Sequence, residues 1–382
     1  MRYVKSELDK PLSEFTPYVS VIAPCRGLDQ DLKENLIKLF VQDYPGYEIV
    51  FVTDSETDKS IAVIKELQKD FLHIDSKIII AGQAKESGQK VHNLREAIKH
   101  TKGDVFVFVD SDARPNEKWL KNLVAPLKDE SIGAVTGYRW FFSSKGNFVS
   151  EFRSVWNASI TSQLGANTKK NFCWGGSTAI RRKTFEKLNM TEQWRGTLSD
   201  DFALTRALQS KSLPIHFAPR CLTASIEDCG FSELLEFTTR QMKITRVYAP
   251  HLWKAALIGS ILFVGSFYVG TVLVIVRVLI GISFVLPLAI VLLLFVLGVG
   301  KAWVRWHAVT LVLTDYKTEL RRSFLPQIIL WFLGSGLYLY NCIAAGFSQL
   351  IVWRGIKYEL KSPTETVIMS PSQKKTDCIQ EK

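Results

Sequence analysis

Two carboxylates, one residue apart, close an apolar run at Gly103-Asp104-Val105-Phe106-Val107-Phe108-Val109-Asp110-Ser111-Asp112. An unbroken series of β-branched and aromatic residues predicts a strand buried on both faces. In an open α/β sheet, ligands bind beyond the carboxyl ends of the strands. Two acids there are costly unless they meet a cation, and Asp-x-Asp suits a divalent metal carried in by phosphates. A plain Ser/Asp turn is the competing reading. Other stretches hold residues of chemical interest. Asp54 closes a second apolar run, and as a turn or helix-capping residue it would need no ligand. Lys90, in Gly88-Gln89-Lys90, stands where a cation could meet a diphosphate, or be merely solvated. Trp174-Gly175-Gly176-Ser177 sets two glycines beside an aromatic. Glycines let a backbone approach a ligand closely, and the ring suits a sugar face or a lipid; a strand-edge bulge with a core Trp is the alternative. Asp200 and Asp201 precede an apolar pattern of helical spacing, where acids also serve as caps. Arg240, Lys243 and Arg246 share one helical face.

Positioning these residues calls for alternating strands and helices. Strands are expected at 18–24, 47–52, 77–80 and 105–109, with helices at 29–39, 60–71 and 91–100 between them. That alternation predicts a parallel, doubly wound sheet. Further strands are expected at 133–138 and within 172–180, a helix over 146–170, and a helix opening at Asp200. No G-x-G-x-x-G follows the first strand and no P-loop motif occurs anywhere, so neither a standard dinucleotide site nor a P-loop is indicated.

The remainder of the chain has another character. Of 382 residues, 47% are hydrophobic, and they crowd into 255–353. Residues 255–276 and 278–300 carry no charge, and each is near the ~20 residues a helix needs to cross a bilayer. They read as a helical hairpin with Arg277 in a very short turn. The basic loop 301–323 is expected on the cytoplasmic side. A third apolar segment, 324–353, is interrupted by Pro326 and several glycines and is expected to be re-entrant or kinked rather than a plain crossing. The net charge of +11 fits lipid headgroups beside such segments; no nucleic-acid motif is present. Arg240, Lys243 and Arg246 could bind anionic lipid in the same way. Six cysteines form no C-x-x-C pair, which fits a reducing compartment. Residues 1–20 show no signal peptide, so the N-terminal domain is expected in the cytoplasm.

The order of these motifs resembles the family-2 glycosyltransferases of the GT-A fold: Val19-Ser20-Val21-Ile22-x-Pro24, a strand ending in Asp54, Gly88-Gln89-Lys90, then Asp110-Ser111-Asp112. Within them, the chain is similar to the ceramide glucosyltransferase group and its bacterial relatives, over 18–250 and onward to Trp353-Arg354-Gly355-Ile356-Lys357-Tyr358. The resemblance implies a GT-A, Rossmann-like α/β domain followed by C-terminal transmembrane helices. The implied division is a segment 1–17, the transferase domain 18–250, a transmembrane region 251–353 and a basic segment with a disordered tail, 354–382.

It also implies roles. Pro24, Asp54, Lys90, Asp110, Arg240 and Lys243 would bind the nucleotide sugar, and Asp112 would hold Mg2+ or Mn2+. Trp174, Gly175 and Gly176 would lie under the sugar and acceptor. Asp201 would be the catalytic base, with Asp200 the acid before it. Lys243 and Ile244 replace the Arg and Trp of the family's Gln/Arg-x-x-Arg-Trp motif. The implied enzyme is an inverting hexosyltransferase moving a hexose, glucose foremost, from a UDP-sugar to the hydroxyl of a membrane lipid on the cytoplasmic face. A processive polysaccharide synthase would want more membrane helices and an intact Trp. A non-enzymatic membrane protein with a degenerate nucleotide-sugar fold would not be expected to keep Asp54, Asp110, Asp112 and Asp201.

Overall fold

The computed structural model describes residues 1–11 and 13–369. Its centre is a seven-stranded sheet of β1 (Val19–Pro24), β2 (Tyr47–Thr53), β3 (Asp75–Ile80), β4 (Val105–Phe108), β5 (Ala134–Phe142), β6 (Thr178–Arg181) and β7 (Ile215–Ile226), in the order β3-β2-β1-β4-β6-β5-β7. The first four are mutually parallel, with Ile22 opposite both Val50 and Phe108. β6 runs antiparallel to β4 and β5, and β5 is parallel to β7. The expected α/β class is therefore the one observed.

Successive side chains of a strand point to opposite faces, and both faces of this sheet are covered. Val19, Val21, Ile49, Phe51, Val105 and Val107 pack on one side with Leu36 and Ile64 of the helices Leu32–Phe40 and Ser60–Asp70. Ile22, Val50, Val52, Phe106 and Phe108 pack on the other with Val91, Leu94 and Leu204 of the helices Gln89–Ile98 and Asp200–Ser210. Burial on both sides is why these strands read as continuous apolar runs rather than alternating ones.

Several expected boundaries move. The helix expected over 146–170 spans Phe148–Thr161. Within 172–180 only the end is strand, because Trp174-Gly175-Gly176-Ser177 forms a turn, with the Ser177 N–H donating to the Trp174 carbonyl at 3.0 Å. The first long apolar helix runs Pro250–Leu279 and the second Val285–Thr310; both are long and apolar enough to cross a membrane. Arg277 is not in their turn. It lies in the last helical turn and donates to the Ser283 carbonyl at 2.8 Å, where a cation is favoured by unpaired carbonyls; Gly281, at φ +70°, makes the reversal.

The loop expected at 301–323 is largely helical. Ala302, Val309, Leu313 and Leu320 are buried at roughly helical intervals, a pattern hidden by the intervening cations. The apolar segment after it bends by 70° between Thr314–Ile329 and Trp331–Phe347. Both ends of this bent pair touch the α/β domain. Arg322 donates to the Ser143 and Ser144 carbonyls. Tyr338 stacks on Trp156 with centroids 4.8 Å apart, and Asn341 accepts from Thr238 and Thr239.

The expected tail begins instead as a second, antiparallel sheet, β8 (Leu350–Trp353), β9 (Ile356–Ser362) and β10 (Glu365–Met369). Its Ile351, Tyr358 and Leu360 are buried against Leu198 and Ile244. The Ser/Thr/Lys composition masked this pairing; the β-branched Thr366-Val367-Ile368 run is its signal. The remainder of the expected disordered tail, 370–382, lies outside the described residues.

Candidate active site

The sheet order brings several chain segments to one edge. The carboxyl ends of β1, β2, β4 and β5 meet there, together with the amino end of the reversed β6. Beyond them opens a cavity of about 430 Å³, within the range of small-molecule sites. It is lined by Pro24, Arg26, Asp29, Lys90, Asp110, Asp112, Arg139, Arg240, Trp353 and Arg354, among others.

Its floor is a chain of alternating charges. Lys90, in the first turn of Gln89–Ile98, lies 2.7 Å from Asp110 Oδ1 and 3.3 Å from Asp200 Oδ1. Arg139, on β5, lies 3.6 Å from Asp110 Oδ2 and 3.0 Å from Asp112 Oδ2. Burial opposes each of these charges, and pairing decides which survive. For Lys90, burial pulls the ammonium pKa down, but Asp110 and Asp200 outweigh it and hold it above the ordinary value. Burial pushes Asp110 up, yet Lys90 and Arg139 bring it below the usual carboxylate range. Asp112 stays raised by burial, with Asp110 and Asp29 repelling it and Arg139, with Arg354 more weakly, in partial compensation. Burial raises Asp200 to about 6, opposed by Lys90 and reinforced by Asp201 and Asp110.

The glycine pair is pressed against this floor. A Cβ on Gly175 would lie 2.3 Å from Asp200 Oδ2 and 2.8 Å from Lys90 Nζ; one on Gly176 would lie 2.3 Å from the Trp174 ring and 2.8 Å from Asp110 Oδ2. Trp119 Nε1 donates to Ser177 Oγ at 2.8 Å and locks the turn. Trp174 is buried against Tyr138, with the Arg139 guanidinium 4.8 Å from its ring centre.

Among the described residues, one buried oxygen of Asp112, Oδ1, has no hydrogen-bond partner. That oxygen and the repulsion around Asp112 fit a divalent cation. Among the described residues no cluster of three His, Cys, Asp or Glu completes a protein cage, so ligand phosphates and water would supply the other ligands.

Not every expected residue faces the cavity. Asp54 sits behind Arg26, whose Nε is 3.5 Å from Asp54 Oδ2. Asp201 turns into the start of its own helix, where Oδ1 accepts from the Phe202 N–H at 2.7 Å and from the Ser199 hydroxyl. Lys243 is directed at the Leu350 carbonyl, 2.7 Å away. Arg240 does line the cavity; burial, with Arg139 and Arg354 adding repulsion against the attraction of Glu236 and, more weakly, Glu227, lowers it to about 10.

Arg139, Arg26 and Asp29 escape a reading of motifs. Arg139 had a faint signal, a cation within the otherwise apolar Gly137-Tyr138-Arg139-Trp140 strand. Trp353 and Arg354 belong to the Trp-Arg-Gly element after the apolar segments, but nothing in its spacing placed it over this cavity. Ile244 leaves the basic motif without its aromatic, and an indole stands beside Arg240 all the same: the Arg240 guanidinium is 5.7 Å from the Trp353 ring centre.

Residues 2–366 match the family described as Glycosyl transferase family 21. Ceramide glucosyltransferase 1 of Caenorhabditis elegans is 26% identical over 244 residues, covering 62% of this chain and 51% of that protein. Beta-monoglucosyldiacylglycerol synthase of Nostoc sp. (strain PCC 7120) is 22% identical, covering 51% and 42%. The chain spans about half the length of the curated relatives it matches. Among solved structures, the mannosyltransferase PcManGT of Pyrobaculum calidifontis, in complex with GDP-Man and Mn2+, is similar at 17% identity and a TM-score of 0.44, over 88% of this chain and 92% of that one.

Proposed function

Because the chain belongs to glycosyl transferase family 21, we propose that it transfers a hexose, glucose foremost, from a UDP-sugar to the hydroxyl of a membrane lipid, with inversion at the anomeric carbon. The observation that carries this reading is the Lys90–Asp110–Arg139–Asp112 charge chain at the carboxyl edge of the sheet, directly beneath the Gly175-Gly176 turn.

In this reading the donor lies in the cavity with its diphosphate over Asp110 and Asp112 and its sugar above the same charged floor, which Gly175 and Gly176 allow to close up because their missing Cβ atoms leave room for Asp200, Lys90, the Trp174 ring and Asp110. Asp112 would anchor a divalent cation through the oxygen now unpartnered. Such a cation, when bound, would offset charge on the departing nucleoside diphosphate. Lys90 holds Asp110 and Asp200 in place, and Arg139 holds Asp110 and Asp112, so the floor is rigid before the donor arrives. The acceptor oxygen attacks the anomeric carbon as the bond to the diphosphate breaks, and its proton passes to Asp201. Asp201 is half-buried and engages the protein through Oδ1; a small χ change would turn it toward the acceptor. Asp200, paired with Lys90, positions that helix start.

We further read the α/β domain as cytoplasmic. The helices Pro250–Leu279 and Val285–Thr310 would cross and return. The bent pair, tied to the domain at both ends, would enter and leave on that same side. A lipid hydroxyl would then reach the site from the bilayer face beside Trp156 and Tyr338. The test is a product assay: membranes containing the protein receive radiolabelled UDP-glucose, with UDP-galactose and UDP-N-acetylglucosamine in parallel. A discrete organic-soluble glycolipid is expected. Label found only in insoluble polymer, or no transfer from any donor, would refute the reading.

A further inference from the structure

The cations of the cavity are not equally committed. Lys90 and Arg139 each bridge two carboxylates, Arg153 is paired with Glu227 at 3.2 Å, and Arg26 with the buried Asp54 at 3.5 Å. Among the described residues, Arg240 has one acidic partner within ion-pair distance, the exposed Glu236 on its own helix at 3.4 Å. Arg354 has one, Asp29. These two guanidiniums flank Trp353: Arg240 lies over its ring and also donates to the Val352 carbonyl at 3.4 Å, and Arg354 is the next residue.

Arg354 is held in an unusual way. It occupies the β8–β9 turn at φ +51°, followed by Gly355 at φ +78°. Two successive positive φ values make the tight turn that favours Asn-Gly or Gly-Gly. An arginine accepts that backbone at a cost, which points to a task for its side chain. The hairpin behind it is anchored by buried Ile351, Tyr358 and Leu360, and the Tyr358 hydroxyl accepts from the Gln89 N–H at 3.2 Å, one residue from Lys90. The tip therefore has a defined place over the cavity. Asp29 also accepts from the Ser111 hydroxyl at 2.6 Å, so it keeps a partner when Arg354 leaves.

We propose that Arg354 and Arg240 together bind the diphosphate of the donor, with Arg354 exchanging Asp29 for phosphate oxygens and Trp353 spacing the two cations. This rests on the nucleotide-sugar reading above and extends its donor site to a segment more than a hundred residues beyond the other binding residues. Guanidiniums suit the task, since their planar fork meets phosphate oxygens in pairs. Asp29 acts as an internal competitor that keeps the cation in place while the site is empty.

The exchange makes two substitutions act in opposite directions. Full-length protein in detergent, with Mn2+ present, is titrated with UDP and separately with inorganic pyrophosphate, and affinity is read by calorimetry. Arg354→Gln is expected to weaken UDP binding about tenfold or more, and Arg354→Lys by less. Asp29→Asn, which frees Arg354, is expected to tighten it. If the ion pair is only a structural staple, both changes weaken binding together, and that result overturns the proposal, as does unchanged binding in Arg354→Gln. Should Arg354→Gln not fold, Asp29→Asn decides alone: tighter binding supports the exchange, and equal or weaker binding refutes it. Vesicles of phosphatidylglycerol that displace UDP from the wild type would assign the pair to lipid headgroups instead. Wild-type protein that does not bind UDP would refute the donor reading itself, whereas wild-type binding with insensitive variants refutes this inference alone.

Discussion

Gly175 stands directly against the Asp200 carboxylate: a Cβ at this glycine would lie 2.3 Å from Asp200 Oδ2, closer than real Cβ contacts allow. Neither residue can shift freely, because Asp200 is tied to Lys90 at 3.3 Å and the glycine turn is locked through Ser177 and Trp119.

Gly175→Ala is therefore expected to disturb the charged floor rather than the fold. Displacement of a catalytic constellation by about 1 Å can cost on the order of 100-fold in rate. A fall in kcat of that order, beside a melting temperature lowered by the overpacking but still showing a folded protein, is the expected result. Near-wild-type kcat would mean that the floor yields at no cost and is not preorganised.

Asp200 gives a pH signature. Its pKa of about 6 exceeds that of an unfolded aspartate, near ~3.9, so the folded state takes up a proton between these values. The group's contribution to stability accordingly falls as pH rises from about 4 to about 6 and is level above. The Lys90–Asp200 pair needs the ionised form, and kcat/KM, which reports the free enzyme, is expected to rise with pH through about 6. Asp200→Asn should lack this inflection. A profile identical to wild type would assign the limb to another group.

Asp201→Asn separates proton removal from donor binding. Loss of a general base costs roughly 10²- to 10⁴-fold. Transfer should fall by at least this much while UDP affinity, measured by calorimetry, is retained. Retained transfer would reject Asp201 as the base, and lost UDP affinity would make it a binding residue.

Asp112 tests the metal without reliance on turnover. In the presence of UDP, Mn2+ bound to the wild type should be visible by electron paramagnetic resonance, and Asp112→Ala should abolish that signal. Excess EDTA should stop transfer by the wild type. Full activity in EDTA would remove the cation from the reaction.

Membrane orientation is open to cysteine labelling. With the α/β domain inside, Ile282→Cys in the turn between the two long helices should react with an impermeant maleimide from outside. Lys361→Cys on β9 should react only after permeabilisation, because that sheet is packed on the α/β domain. Labelling of both from outside would require the bent pair to cross.

The alternation of buried strands and amphipathic helices in 18–210, the acids at strand and helix ends, and two membrane-length apolar stretches were all legible from residue order. These are local properties: side-chain periodicity sets secondary structure, and an acid after an apolar run is positioned by the strand that precedes it. Asp110 and Asp112 could be picked out for that reason, Lys90 as a cation opening a helix, and Gly175 and Gly176 as adjacent glycines beside an aromatic. The partners of these residues could not, because ion pairing is decided by distance in space. Arg139 reaches Asp110 and Asp112 only because β6 is reversed between β4 and β5. The resemblance implies Asp201 rather than Asp200 as the base, yet it is Asp200 whose side chain joins the charged floor, since consecutive residues at a helix start diverge by about 100°. The Trp353–Arg354 tip was the least legible of all. Its composition resembles a basic tail, and only the antiparallel pairing of β8, β9 and β10, sealed by Tyr358 and Leu360 against Leu198 and Ile244, turns that tail back over a cavity built by residues far earlier in the chain.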